Sequence, residues 1–272
     1  MPTPLGYFSL YEGLQFDANI MITGSHNPKD YNGFKITIGK ESFFGAELKE
    51  FSKEVYRHLD DEIPQDLRAE KYDILSLYVE FMKKQFGHLA NFNYEFALDC
   101  ANGAVGVVLE PLIKTLNLKA HFLFKEPDGT FPNHSPDPTE NENLIPLKKF
   151  LEQNQNIQMA FAFDGDADRV VALSKTHTFC GDELCYLFAK DIENPRILGE
   201  VKCSKNLFDA VKQFGTIFMG KTGHSNIKKM MKELDIDLAA EVSGHIFFKH
   251  RYFGYDDGIY AFLRALELIF NC

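Results

Sequence analysis

The chain contains no tryptophan, no long apolar run and no surplus of positive charge. No run reaches the roughly 18 consecutive apolar residues of a membrane-spanning helix, so no such span and no membrane partner is expected. Lys and Arg number 29 against 39 Asp and Glu, a formal charge of −10 at pH 7. The overall basic field that nucleic-acid binding draws on is therefore missing, and an anionic ligand has to find a locally basic site. Cysteine is sparse and odd in number: Cys100, Cys180, Cys185, Cys203 and Cys272, with no C-x-x-C pair. That usage fits reduced thiols in the cytoplasm rather than a disulfide framework. The opening MPTPLGYFSLYEG lacks a basic stretch leading into an apolar core, so no secretory leader is expected. The sequon Asn133-His134-Ser135 is then expected to be fortuitous. What remains is ordinary globular material: 272 residues, 45% hydrophobic and 25% charged, with 26 Phe. This length supports roughly two domains and a core that needs no disulfide or metal staple.

Short apolar runs alternate with helical periodicity along the chain, without repeats or low-complexity segments. A helix is expected over 5–16, short buried strands over 19–23 and 34–38, and a helix over 46–58. The polar stretch 60–66 reads as a linker, followed by a helix over 73–86. A second block has strands at 94–99, 119–124, 157–163 and 170–174, helices ending near 116 and 154, and a long proline-rich loop over 126–141. Loops of that length in compact domains are usually functional or mobile. A third block has helices over 182–192, 204–213, 224–234 and 257–270, and strands over 196–201, 216–219, 237–242 and 245–248. Strands alternating with helices of this length predict layered α/β domains with mixed, largely parallel sheets. Two strands before the linker are marginal alone; they either pack on the second block or belong to an incomplete domain.

The sharpest chemical signal is Asp164-Gly165-Asp166-Ala167-Asp168-Arg169, directly after an apolar strand. Open α/β sheets place ligands at such strand ends. Carboxylates at i, i+2 and i+4 in a tight turn can converge on one hard cation. Three like charges that close are costly unless a cation or arginine offsets them. An EF-hand is excluded, because its sixth position would be Arg169 and its twelfth Lys175. Three carboxylates leave coordination positions open for a phosphate oxygen, which suits Mg²⁺; the plain alternative is a solvated acidic turn. A second signal is Thr23-Gly24-Ser25-His26-Asn27-Pro28, with Lys35 downstream. These are common turn residues, but beside a metal a phosphorylated serine would add strong acceptors. A third is Glu241-Val242-Ser243-Gly244-His245, whose carboxylate, hydroxyl and imidazole can all reach one polyol, or simply fill a turn. Residues 215–222 fit the pattern G-x-x-x-x-G-K-[ST]. Their interior is apolar and β-branched, so it reads as a strand rather than a phosphate-cradling loop. The turn after it, Lys221-Thr222-Gly223-His224, can still offer amides and a lysine to an anion at a helix start. Lys35, Arg169, Lys202 and Lys221 all fall at or just past strand ends, although each alone also suits a solvated surface.

Taken together these segments resemble the α-D-phosphohexomutase superfamily, in particular its bacterial phosphomannomutase/phosphoglucomutase branch. The resemblance rests on TGSHNPKDYNGFKI (23–36), DGTFPNHSPDP (128–138), FDGDADR (163–169), VKCSKNLFD (201–209), KTGHSNIKKMMKE (221–233), EVSGHIFF (241–248) and DDGIYA (256–261), in the family's order. It implies consecutive related α/β domains around a shared cleft. The implied activity is an isomerase that interconverts hexose 1-phosphate and hexose 6-phosphate through a hexose 1,6-bisphosphate. By the same resemblance Ser25 would be the phosphoserine and a further metal ligand. Asp164, Asp166 and Asp168 would hold Mg²⁺, and Arg169 would contact the phosphoserine. His26 and Lys35 would be acid/base candidates. Lys202 and the 221–224 turn (Lys221, Thr222, Gly223, His224) would meet the phosphosugar, and Glu241, Ser243 and His245 its hydroxyls. Ala167 and Ala240 stand where the family usually has glycine. Only 24 residues precede Ser25, and the family's Arg-Gly loop and fourth domain find no counterpart. The expectation is therefore part of domain 1 over 1–72, domain 2 over 73–176 and domain 3 over 177–272, with weak or no turnover by this chain. The competing expectation is an inactive fragment or a non-catalytic phosphosugar-binding protein.

Overall fold

The computed structural model describes residues 1–14, 16–62 and 69–271. Positions 63–66 of the expected linker, and Cys272, lie outside the described residues. Three sheets succeed one another along the chain. The first is an antiparallel β1(Ala18–Thr23)–β2(Gly33–Ile38)–β3(Glu41–Ser42) meander, followed by α2(Ala46–Arg57). The second has the order β5(Lys119–Leu123)–β4(Glu95–Asp99)–β6(Met159–Phe163)–β7(Val170–Ser174)–β8(Thr178–Phe179), with parallel pairing around β4 and antiparallel pairing beyond β6. The third has the order β10(Thr216–Gly220)–β9(Arg196–Glu200)–β11(Leu238–Ala240)–β12(Ile246–Phe248), with only the last pair antiparallel. The sheets are thus mixed: helical crossovers give the parallel pairs and direct hairpins the antiparallel edges.

β4 and β6 read FALD and AFAF over four consecutive buried positions, as strands covered on both faces must. α9(Gly258–Phe270) is buried from Gly258 to Glu267 and carries apolar residues almost all round. Its start is fixed by Asp257, whose carboxylate accepts from the Ile259 and Tyr260 amides. α1(Thr3–Phe8) belongs to the same core: Phe8 packs edge-on to Tyr78 at 5.3 Å, and Tyr7 lies 5.3 Å from Tyr255. Among the described residues no helix is long and apolar enough to cross a membrane.

Two expectations need correction. The helix expected over 5–16 ends at Phe8, because Glu12 and Gly13 adopt left-handed backbone and turn the chain towards β1. The strands at 19–23 and 34–38 form but are not buried: Ile20, Ile22, Phe34 and Ile38 are 60, 62, 63 and 50% exposed. A three-stranded sheet covered on one face leaves its alternate residues bare. α2 adds no cover, as none of its residues is buried and Phe51 and Val55 stand exposed. β3 and β8 have two residues each and carry no readable periodicity.

Such a face invites self-association. The molar mass by light scattering is expected to rise with concentration. Replacing the cross-strand pair Ile22 and Phe34 by lysines should return it to the monomer. A wild-type chain that stays monomeric throughout would refute this.

Candidate active site

The loop Asp164–Asp168 leaves β6 and packs directly on the serine turn. A side chain at Gly165 would collide with the Ser25 carbonyl oxygen, so only glycine permits this approach. Ser25 itself holds left-handed backbone (φ 51°), and its amide donates to Thr23 Oγ1 at 2.8 Å. Its hydroxyl lies 3.3 Å from both Asp164 Oδ2 and His26 Nδ1. Strained backbone at a hydroxyl facing a carboxylate is a recurring feature of reactive positions. Ala167 is also left-handed (φ 63°), which explains why glycine suits that position.

All three carboxylates of the loop are buried and within ligating distance of one another, so the solvated-turn alternative does not describe them. Asp164 receives the Arg169 side chain (Nε to Oδ2, 2.8 Å) and the Arg169 amide (3.2 Å). Burial nevertheless pushes its carboxyl up to about 8, against the pull of Arg169. Asp166 Oδ2 accepts from Thr3 (2.6 Å), Thr23 (2.9 Å) and Lys35 (2.9 Å). Burial would raise this carboxyl too, but Lys35 and these donors hold it below the usual range. Lys35 also pairs with Asp168 Oδ2. Burial works against its charge, but the two carboxylates keep it an ammonium well past its ordinary value. The Oδ1 atoms of Asp166 and Asp168 are buried without a hydrogen-bond partner. Anionic oxygens in that condition fit a divalent cation bound beside Lys35.

Arg169 extends from this loop to Asp137 (Nη1 to Oδ1, 3.4 Å) and to His26 (Nη2 to Nδ1, 2.7 Å). Guanidinium cannot accept, so His26 presents a lone pair. Burial, with Arg169 beside it, lowers the imidazole's affinity for a proton. The third sheet enters through His245, whose backbone bridges to Arg169. Its Nδ1 lies 3.0 Å from Asp256 Oδ2 and 3.6 Å from Asp168 Oδ1. Burial opposes protonation of this ring, but the two carboxylates raise it to about 9. His224 stacks on it at 6.2 Å and is lowered to about 4 by burial and the nearby Lys228.

Ser25, His26, Lys35, Arg169, the three aspartates and His245 are therefore brought to one place. Thr222, Gly223 and Glu241 form an adjoining cluster. Glu241 accepts from the Gly223 amide, while Glu200 accepts from Thr222 Oγ1 and from the Val242 amide. Glu241 is engaged inside the protein, and burial raises its carboxyl above the ordinary value. Lys202 and Lys221 stay exposed. Along with Ser243 they make no hydrogen bond to the described residues. Residues 216–220 form β10, so the apparent P-loop pattern is a strand. Asp256, Lys228, Glu200 and Asp137 were not singled out from sequence. Asp137, Lys228 and Asp256 do lie inside the segments 128–138, 221–233 and 256–261 that carry the resemblance, and that is the signal that could have drawn attention to them.

Three family models match in order: Phosphoglucomutase/phosphomannomutase alpha/beta/alpha domain I over residues 1–62, domain II over 76–177 and domain III over 180–271. The phosphomannomutase/phosphoglucomutase of Pseudomonas aeruginosa is 39% identical, with 99% of this chain and 58% of that protein aligned. The phosphoglucomutase of Neisseria gonorrhoeae is 38% identical, over 98% of this chain and 58% of that one. The chain thus spans 58% of the length of these curated relatives. A phosphoglucomutase/phosphomannomutase family protein from Burkholderia thailandensis superposes with a TM-score of 0.91 at 34% identity, covering 100% of this chain and 61% of that one. The N-acetylphosphoglucosamine mutase of Aspergillus fumigatus, solved in complex with GlcNAc-6P and magnesium, shares the fold. Its TM-score is 0.65 at 16% identity, covering 93% of this chain and 70% of that one.

Lys35→Met removes the cation between two buried carboxylates, and breaking such a pair costs about 3–5 kcal/mol. Urea unfolding checks this; a loss below about 1 kcal/mol would mean the site is solvated. Without metal, Asp164 binds a proton on folding, since its carboxyl rises from 3.8 unfolded to about 8 folded. The stability this proton supplies is lost as pH rises across that window. His245, raised to about 9, adds stability that is present below pH 6.5 and lost as pH rises through 9. Thermal midpoints should therefore fall from pH 6 to pH 9, and a flat profile would contradict both shifts.

Proposed function

The chain belongs to the phosphoglucomutase/phosphomannomutase family, and from that premise we propose that its converging loops interconvert hexose 1-phosphate and hexose 6-phosphate. Ser25 carries the phosphoryl group. It passes to the free hydroxyl of the bound hexose phosphate, giving a hexose 1,6-bisphosphate, and the other phosphate returns to Ser25. In each half-reaction one P–O bond to the donor oxygen breaks and one to the acceptor oxygen forms. The proton of the attacking hydroxyl passes to a base, and the departing oxygen gains one. The observation that carries this reading is the Ser25 hydroxyl, held on strained backbone 3.3 Å from Asp164, whose carboxylate in turn receives Arg169.

Phosphoryl transfer asks a protein mainly for positioning and charge stabilisation. Asp164, Asp166 and Asp168, together with the Ser25 phosphate, would hold Mg²⁺, which neutralises charge on the transferring oxygens when bound. Arg169 supplies a fixed cation from the other side. Lys35, kept charged by Asp166 and Asp168, donates rather than accepts, and His26 stays neutral with its Nδ1 lone pair engaged by Arg169. The 241–245 loop and the 222–224 turn, joined by the Gly223 amide to Glu241 contact, would supply the groups for the sugar's hydroxyls. Lys202 and Lys221, free at the rim, suit the non-reacting phosphate. The sequence character and the free thiols of Cys100, Cys185 and Cys203 fit a cytoplasmic enzyme.

Intact mass of the purified chain, before and after incubation with glucose 1,6-bisphosphate and Mg²⁺, tests this. One phosphoryl group mapped to Ser25, and absent from Ser25→Ala, is the expected result. A folded protein that takes up no phosphate but retains the phosphosugar would make it a binding protein instead.

A further inference from the structure

Lys228 lies on α8(His224–Glu233), yet its side chain is only 14% exposed. Its ammonium is 3.0 Å from Asp256 Oδ1 and 4.0 Å from the centre of the Tyr7 ring. The second oxygen of Asp256 faces His245 Nδ1 at 3.0 Å. Each oxygen of this fully buried carboxylate therefore faces one nitrogen: Oδ1 takes the Lys228 ammonium, and Oδ2 lies beside the His245 ring from the loop before β12 without a well-directed hydrogen bond to it. Tyr7, from α1, closes the outer side. Neither Lys228 nor Asp256 belongs to the aspartate triad of the metal loop or to the sugar-facing turns. A buried pair of this kind rarely adds net stability over an apolar filling, so its effect lies in geometry.

We propose that the Lys228–Asp256 pair is a positioning device for His245. It fixes the imidazole by Nδ1 against Asp256 and leaves Nε2 for the substrate's hydroxyl. This rests on the reading that the 241–245 loop meets the sugar. With Lys228 removed, Asp256 can rotate away, and His245 is left to choose between Asp256 and Asp168. The chemistry at Ser25 keeps all its own groups but loses the orientation of the acceptor. Misplacing a reacting group by about 1 Å costs on the order of 100-fold, and loss of an orienting partner about 10- to 100-fold.

Lys228 and Tyr7 also line a cavity of about 830 Å³ beside Lys40, Glu41 and Phe253, so a small amine can reach the vacated position. The experiment compares wild type, Lys228→Ala and Lys228→Arg by two readouts. The first is the ¹⁵N signals of the His245 imidazole, which report ring orientation without any turnover. The second is the rate of Ser25 phosphorylation by saturating glucose 1,6-bisphosphate. Lys228→Ala should shift or broaden the His245 signals and slow phosphorylation about tenfold or more. Lys228→Arg and added ethylammonium should restore both. Unmoved His245 signals in a folded Lys228→Ala chain overturn the proposal, as does a slowed rate that neither arginine nor amine rescues. If Lys228→Ala does not fold, Lys228→Arg carries the same comparison against Asp256→Asn. There, an unmoved His245 signal in Asp256→Asn overturns it. Should wild type itself take no phosphate, the functional reading fails while the His245 signals still decide the positioning.

Discussion

Four buried carboxylates within one small volume set the terms for everything around them. Asp164, Asp166, Asp168 and Asp256 are each almost wholly removed from solvent. Like charges in low dielectric cannot coexist unless cations or protons neutralise them. The chain answers with cations drawn from separate places: Lys35 from β2, Arg169 from the loop itself, Lys228 from α8 and His245 from the approach to β12. Only Arg169 comes from the acidic loop; the other three cations come from other segments. The serine-bearing sheet and the third sheet therefore dock on the acidic loop through the charges they bring to it.

Within that loop the three aspartates are not equivalent. Asp166 receives two threonine hydroxyls and a lysine on a single oxygen and stays ionised. Asp164 has one arginine in a drier setting, and burial moves it towards the protonated form. Neighbouring acids whose environments separate their proton affinities are what acid–base and metal chemistry require. The oxygens are also divided by role. Lys35 uses Oδ2 of both Asp166 and Asp168, whereas the Oδ1 atoms accept no hydrogen bond and that of Asp168 faces only the His245 ring at 3.6 Å. A divalent cation can thus enter without evicting the lysine, and its charge would then draw Asp164 back to the carboxylate.

The acidic turn, the serine turn and the alternation of strands and helices were legible because each is written in adjacent residues: an apolar strand, then polar residues at fixed spacing around a glycine. Lys228 and Asp256 were not, because what matters about them is a partner 28 positions away. A lysine on an amphipathic helix reads as solvated, and only tertiary packing under Tyr7 reveals it as buried. Glu200 was hidden in the same way, at the end of β9, where it ties the Thr222 and Val242 segments together. Glu241, Ser243 and His245 share one face if the chain is extended. The turn at Gly244 (φ 94°) instead sends Glu241 to the Gly223 amide and His245 to Asp256.

The first sheet docks through charge more than through burial, and its two ends differ accordingly. Its working end is well anchored: Thr23, Ser25 and Lys35 all reach the acidic loop. Its broad face, with Ile20, Ile22, Phe34 and Ile38, is bare. Apolar burial is non-directional and tolerates small shifts of a sheet, whereas the hydrogen bonds of Lys35 and Thr23 weaken steeply with misalignment. A sheet held at one end by directional contacts can hold the serine turn against the acidic loop with little positional error. The position of Ser25 then depends on the hydrogen bonds of Thr23 and Lys35 to the acidic loop as much as on the packing of β1 and β2.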